Sequence, residues 1–190
     1  LGTHYLYYYH QDLKQFVRIH TIEYPLTNLS HSAFMDEKGA LYVVPYRGTE
    51  LYRYALDRFN GEKSLIKLSI TSSPLHNKPI TDTFYHHGLL YFIDAQQNLF
   101  LYDVSRSAKM FIRNVASLIN QYGRFNNIIS YHDELIITLN NGGILHLSSS
   151  EHYGEEMIRS DIRAFDVFHD AQQDILWLGT DGQGAVMLYT

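Results

Sequence analysis

One local pattern occurs four times along the chain. Leu41-Tyr42, Leu90-Tyr91, Leu135-Ile136 and Leu176-Trp177 recur at separations of 49, 45 and 41 residues. Each pair sits in an apolar strand-like run that enters a polar, amide or glycine turn and returns as a second, alternating run. The clearest copy is Asp174 to Tyr189, where Ile175–Leu178 leads into Gly179–Gly184 and Ala185–Tyr189 leads out. Gly182 and Gly184 can take positive φ at little cost, so this stretch reads as a β-hairpin. An apolar run and a polar turn precede each hairpin. A more polar run follows three of the four, at Ser64–Ser69, Lys109–Arg113 and Glu155–Arg159. Four short strands at a period of 40–50 residues are the signature of a β-propeller blade.

The expected class is therefore all-β, a partial propeller of four-stranded antiparallel blades. Residues 1–22 read as the end of a blade, with Tyr5–Tyr9 as its third strand and Gln15–His20 as its fourth. Blades then follow over 30–70, 79–114 and 125–159, and 164–190 gives the first three strands of another. Four to five blades are represented, the small end for ring closure, so a fragment of a larger ring is expected. One segment also fits helical spacing: Phe111, Val115, Leu118, Ile119 and Tyr122, ahead of Gly123. Its reading is a fourth strand at Lys109–Arg113 and a short helix at Val115–Gln121; a single continuous helix is the competing one.

Composition agrees with strands and narrows the partners. The 190 residues include 16 Tyr and 10 Phe beside 4 Pro, a balance that favours sheets. A net charge of −5 without a basic cluster argues against nucleic acid or an anionic membrane as the main partner. With no Cys there is no disulfide framework or thiolate metal site. No run of about eighteen apolar residues is present to cross a bilayer as a helix. The start, Leu1-Gly2-Thr3-His4, is neither a leader nor an initiator Met, so an excerpt of a longer protein is expected.

The stretch Ile175-Leu-Trp-Leu-Gly-Thr-Asp-Gly-Gln-Gly-Ala-Val-Met-Leu-Tyr189, preceded by Phe168-His169-Asp170, resembles the two-component regulator propeller repeat. The likeness is specific over Phe165–Tyr189 and looser in the other units, which keep the hairpin but lose Trp and the Gly-Thr-Asp-Gly turn. The resemblance implies the periplasmic sensor region of a hybrid two-component histidine kinase of the kind found in Bacteroidetes. It implies oligosaccharide recognition and a signal passed to a kinase and other domains not in this chain. It also implies that the chain does no chemistry itself.

No catalytic constellation, metal site or cofactor is read from the residues. Gly179, Gly182 and Gly184 lack the G-x-G-x-x-G spacing of a phosphate loop, and a strand follows them. His86-His87, His132 and His169 mark a repeated turn between first and second strands, which adjacent blades are expected to hold far apart. Glu155 and Glu156 would point to opposite faces of a strand, and Ser148-Ser149-Ser150 has no base nearby in sequence. Asn28-Leu29-Ser30 matches a glycosylation acceptor.

Ligand contacts are expected where the fourth-to-first connections and the second-to-third turns share one end of the blades. The candidates there are Tyr46, Arg47, Asp94, Gln96, Arg124 and Asp181, a mix of amide, charge and aromatic suited to sugar hydroxyls. The same types are also ordinary turn formers. Two further readings stay open: a propeller lyase or glycosidase, and a protein-interaction scaffold. The first needs acidic or His/Tyr residues converging near the ring axis, and no acidic position recurs on second strands. Open strand edges give an expectation of self-association, a homodimer among the forms.

Overall fold

Among the described residues each sheet is an antiparallel meander, its strands paired in sequence order without a crossover. The computed structural model describes residues 7–10, 14–18, 31–36, 40–57, 67–132, 134–147 and 155–188. The first sheet is the pair β1 (Tyr7–His10) and β2 (Gln15–Arg18). The second is β3 (His31–Met35), β4 (Leu41–Pro45), β5 (Glu50–Asp57) and β6 (Lys67–Pro74). The third is β7 (Ile80–His86), β8 (Leu89–Asp94), β9 (Asn98–Asp103) and β10 (Ala108–Asn114). The fourth is β11 (Phe125–Tyr131), β12 (Glu134–Leu139), β13 (Ile144–Leu147) and β14 (Glu155–Arg159), and the fifth is β15 (Ala164–Asp170), β16 (Ile175–Thr180) and β17 (Gly184–Leu188). These small meandering sheets are β-propeller blades, and the fold class is all-β with one short helix among the described residues. Asn28–Ser30 and Ser148–Ser150 lie outside the described residues, as does most of the segment 1–22.

The two readings of the segment before Gly123 separate cleanly. Strand β10 ends at Asn114, and the helix α1 occupies Ala116–Tyr122. Asn114 Oδ1 accepts the Ala116 N–H at 3.0 Å, and the Gly123 N–H closes the other end on the Ile119 carbonyl at 2.9 Å. Val115 and Leu118 are fully buried, so the connection is anchored by apolar contact.

The chain separates into two compact units, Leu1–Thr81 and Asp82–Thr190, with the boundary inside β7. In the first unit the β3–β4 turn is held by Asp36, which accepts the Ala40 N–H at 2.8 Å and the Tyr42 hydroxyl at 3.3 Å. Tyr42 stacks on Phe34 with ring centroids 5.2 Å apart. The β4–β5 turn, Tyr46 to Thr49, is fastened to the residues that follow β6. The Arg47 N–H donates to Ile80 O at 2.8 Å, the Ile80 N–H to Gly48 O at 3.0 Å and the Leu75 N–H to Thr49 O at 2.9 Å.

The second unit shows how the sheets stack. Ile128, Ile137, Leu139, Leu145 and Leu147 on one face of the fourth sheet meet Tyr91, Ile93 and Leu99 of the third, together with Val115 and Leu118. Ile129, Ile136 and Ile144 on its other face meet Val167, Leu176, Leu178 and Leu188 of the fifth. A sheet buried on both faces needs consecutive apolar residues, which is why Ile128-Ile129, Ile136-Ile137 and Ile144-Leu145 run together. Strand β16 instead alternates: Leu176 and Leu178 are buried while Trp177 and Gly179 are exposed.

The turns are formed largely by residues other than glycine in the left-handed region. Arg47, His87, Gln97, His132 and Asp174 all have φ between 45° and 62°, a conformation uncommon for residues with a Cβ. Gly143 (φ 105°) is different because space is also short. A Cβ there would lie 2.9 Å from Met157 Sδ and 3.1 Å from the Arg159 carbonyl. Around Gly182 (φ 86°) nothing lies within 4 Å. Gly143→Ala should therefore cost about 2–3 kcal/mol and Gly182→Ala about 1 kcal/mol, the backbone strain alone. Urea denaturation of the two variants checks this, and equal losses would show that contact at Gly143 does not matter.

Candidate functional site

Two polar constellations occupy opposite ends of the second unit's strands. The first lies where the connections enter the first strands of the fourth and fifth sheets. Both β11 and β15 carry a β-bulge at the same place, between Phe125 and Asn127 and between Ala164 and Asp166. The side-chain oxygens of Asn127 and Asp166 accept the next backbone N–H, of Ile128 at 2.7 Å and of Val167 at 2.9 Å. The Asn127 amide also donates to Asp166, and Asn126 Nδ2 donates to the Ala164 carbonyl at 2.9 Å. The two bulges are thus tied to each other across the sheets. Bulges often re-aim side chains next to binding sites.

The residues flanking these bulges repeat as well. Arg124 precedes the first as Arg163 precedes the second. The Asn140 N–H donates to the Arg124 carbonyl at 2.8 Å, as the Asp181 N–H donates to the Arg163 carbonyl at 2.8 Å. Arg163 is fixed, with Nη1 3.2 Å from Asp181 Oδ2 and its guanidinium carbon 5.3 Å from the Phe165 ring centroid. Phe165 itself is 50% exposed. Backbone bonds extend this end on both sides, through the Gly143 N–H to Ile162 O at 2.6 Å and the Val115 N–H to Gln97 O at 2.8 Å.

Of the residues singled out in the sequence, Gln96, Arg124 and Asp181 lie on exposed turns or connections along this end of the second unit. Asp94 is at the same end but is 1% exposed. Its Oδ1 accepts the Gln96 and Asn98 N–H groups at 2.8 and 2.9 Å, and its Oδ2 accepts Asn98 Nδ2 at 3.0 Å. That carboxylate builds the β8–β9 turn. Tyr46 and Arg47 belong to the first unit, where the Arg47 guanidinium lies 5.5 Å from the Tyr46 ring centroid. Asn126, Arg163 and Phe165 were not singled out. Their signal is the equivalence of Arg124-Phe125-Asn126-Asn127 with Arg163-Ala164-Phe165-Asp166, visible only once the bulges align the two strands.

The opposite end corrects the expectation that the histidine turns stand far apart. Asp174 receives His132 Nε2 at 2.9 and 3.0 Å on its two oxygens and His169 Nε2 at 3.1 Å. A carboxylate only accepts, so both rings present Nε2–H to it. The Tyr131 ring meets both imidazoles edge-on, with centroids 4.2 and 4.8 Å away. These bonds, from His169 first and then His132, hold the Asp174 carboxyl below the usual range. His86 completes the group: it packs against His87 at 4.2 Å, and its Nδ1 is buried without a hydrogen-bond partner. Burial first, then the charges of His87 and His169, pull His86 down to about 4. Among the described residues no group of three or more His, Cys, Asp or Glu side chains has the geometry to hold a metal ion.

No protein-family model matches the sequence, and no curated protein matches it. Solved structures do share its fold. A protein from Lactobacillus plantarum superposes with a TM-score of 0.57 at 12% identity, over 96% of this chain and 59% of that one. A chain of a Mitotic Checkpoint Complex gives 0.57 at 9% identity, over 96% and 54%. The chain thus spans little more than half the length of these neighbours, and at such identities the likeness is one of fold alone. A looser superposition, 0.43 at 12% identity over 88% and 27%, relates it to an extracellular domain described as that of a hybrid two component system from B. thetaiotaomicron.

Two outcomes follow from these geometries. Asp94→Ala should cost about 2 kcal/mol, because two backbone donors beneath the turn lose their acceptor; an unchanged denaturation midpoint would remove Asp94 from the turn's support. Acid should act through His86 first. Its folded pKa lies below its ordinary value of 6.5, so the native state binds fewer protons and stability falls as pH drops from about 6.5 to about 4. Asp174, held low, loses its contribution only below the usual carboxylate range. Urea midpoints for His86→Phe should decline less than wild type between pH 6.5 and 4, and parallel curves would refute the assignment.

Proposed function

We propose that this chain is part of a ligand-sensing propeller that recognises an oligosaccharide or similar small polar ligand and does no chemistry itself. The observation that carries this reading is the polar end of the second unit, where Arg124, Asn140, Arg163 and Asp181 repeat across two blades beside the exposed Phe165 ring. An aromatic face with amides and charges around it suits a ring bearing hydroxyls. Gln96 and, in the first unit, Tyr46 and Arg47 are further candidates for ligand contact. Asp94 would act by shaping its turn.

The likeness of Phe165–Tyr189 to the two-component regulator propeller repeat supports the wider assignment. In it, the chain belongs to the periplasmic sensor region of a hybrid two-component system. In that reading further blades and a kinase lie outside this chain, and the sensor pairs as a homodimer. No helix among the described residues is long and apolar enough to cross a membrane.

Thermal stability of the sensor region against a panel of oligosaccharides tests the proposal. A ligand that binds only the native state, at about a hundred times its Kd, adds about 2.7 kcal/mol and raises Tm by about 5–10 °C. No shift across the panel would overturn the sensor reading. Turnover of any glycan would replace it with a propeller lyase or glycosidase.

A further inference from the structure

Arg163 and Arg124 are equivalent in the fold but differ in what surrounds them. Arg163 is neutralised by Asp181 and covers one face of Phe165. The carboxylate of Asp166 is likewise occupied, by the Asn127 amide and the Val167 N–H. Arg124 is exposed and has no ion-pair partner among the described residues; the residue in the position of Asp181 is the neutral Asn140. Asn126, two residues after Arg124, anchors its side chain on the Ala164 carbonyl, next to Phe165. This end of the unit therefore offers a partly open aromatic face, an oriented amide and an exposed positive charge.

We propose that this ledge binds an acidic saccharide, with a sugar ring stacked on Phe165 and a carboxylate on a neighbouring ring paired with Arg124. The assignment rests on the sensor reading above and adds to it the charge of the ligand and the residues that read it. The stacking partner is rigid because Arg163, held by Asp181, fixes the ring from the other side, and preorganisation of this kind strengthens binding. A guanidinium suits a carboxylate because its planar donors match the two oxygens. The bulges give the ledge its form, since without the extra residue in each strand Asn126 and Phe165 would follow the ordinary alternation of the sheet.

The test compares a uronic-acid disaccharide with the corresponding neutral hexose disaccharide by calorimetry on the intact sensor region. The uronate should bind at least tenfold more tightly at low salt, and the difference should shrink as salt screens the pair. Arg124→Gln should bring the two ligands to within about twofold. Phe165→Ala should weaken both by about tenfold, and both residues are exposed enough for either variant to fold. Equal binding of the two disaccharides by the wild type, or a charge preference that survives Arg124→Gln, would overturn this assignment and leave the sensor reading standing. No binding of any saccharide would overturn both.

Discussion

Burial of the fourth sheet on both faces is the constraint from which the rest of the second unit follows. Its strands hold apolar residues at successive positions, so neither face can be left in water and a sheet must stack on each side. The third sheet and α1 cover one face, and the fifth sheet covers the other. Stacking in turn fixes where the strand ends of neighbouring blades meet. The bulges of β11 and β15 come together at one end and the histidine turns at the other. Both polar constellations are thus consequences of a hydrophobic arrangement some residues away from either.

The hydrogen bonds at the turns make that arrangement specific. Stacked apolar faces could slide, but the Gly143 N–H on Ile162 O and the Val115 N–H on Gln97 O lock the turn between second and third strands to the connection that follows its sheet. The same device appears in the first unit, where Arg47 and Gly48 exchange bonds with Ile80. The second, third and fourth sheets each carry such a backbone clasp, and register is set by these clasps together with the alternation of buried positions.

The sequence made the architecture legible because strand patterning and turn chemistry are local. The four recurring apolar pairs, the alternation in β16 and the break at Gly123 all report on residues within a few positions of each other. The sites were less legible because they depend on which turns meet. His169 and Asp174 flank one turn, but His132 stands 42 positions from Asp174, and nothing in that spacing shows that stacking brings two imidazoles to one carboxylate. Asp94 looked like a ligand contact because an acidic turn residue is often exposed; here two backbone N–H groups draw it inward. Phe165 was not among the candidates because a bulge, which exposes it, leaves no mark in composition. The exposure of Arg124, Gln96 and Asp181 was legible because polar turns stay in solvent.

The left-handed turns carry one further consequence. His132 and Asp174 are both among the residues with positive φ, and both belong to the cluster that joins the fourth sheet to the fifth. Asparagine or glycine would relax either backbone, as at ordinary turns, but each would also alter the joint between sheets. Local ease and inter-blade contact therefore pull in opposite directions at these two positions. A substitution in one turn therefore bears on its neighbour, even though the two residues stand 42 positions apart in the chain.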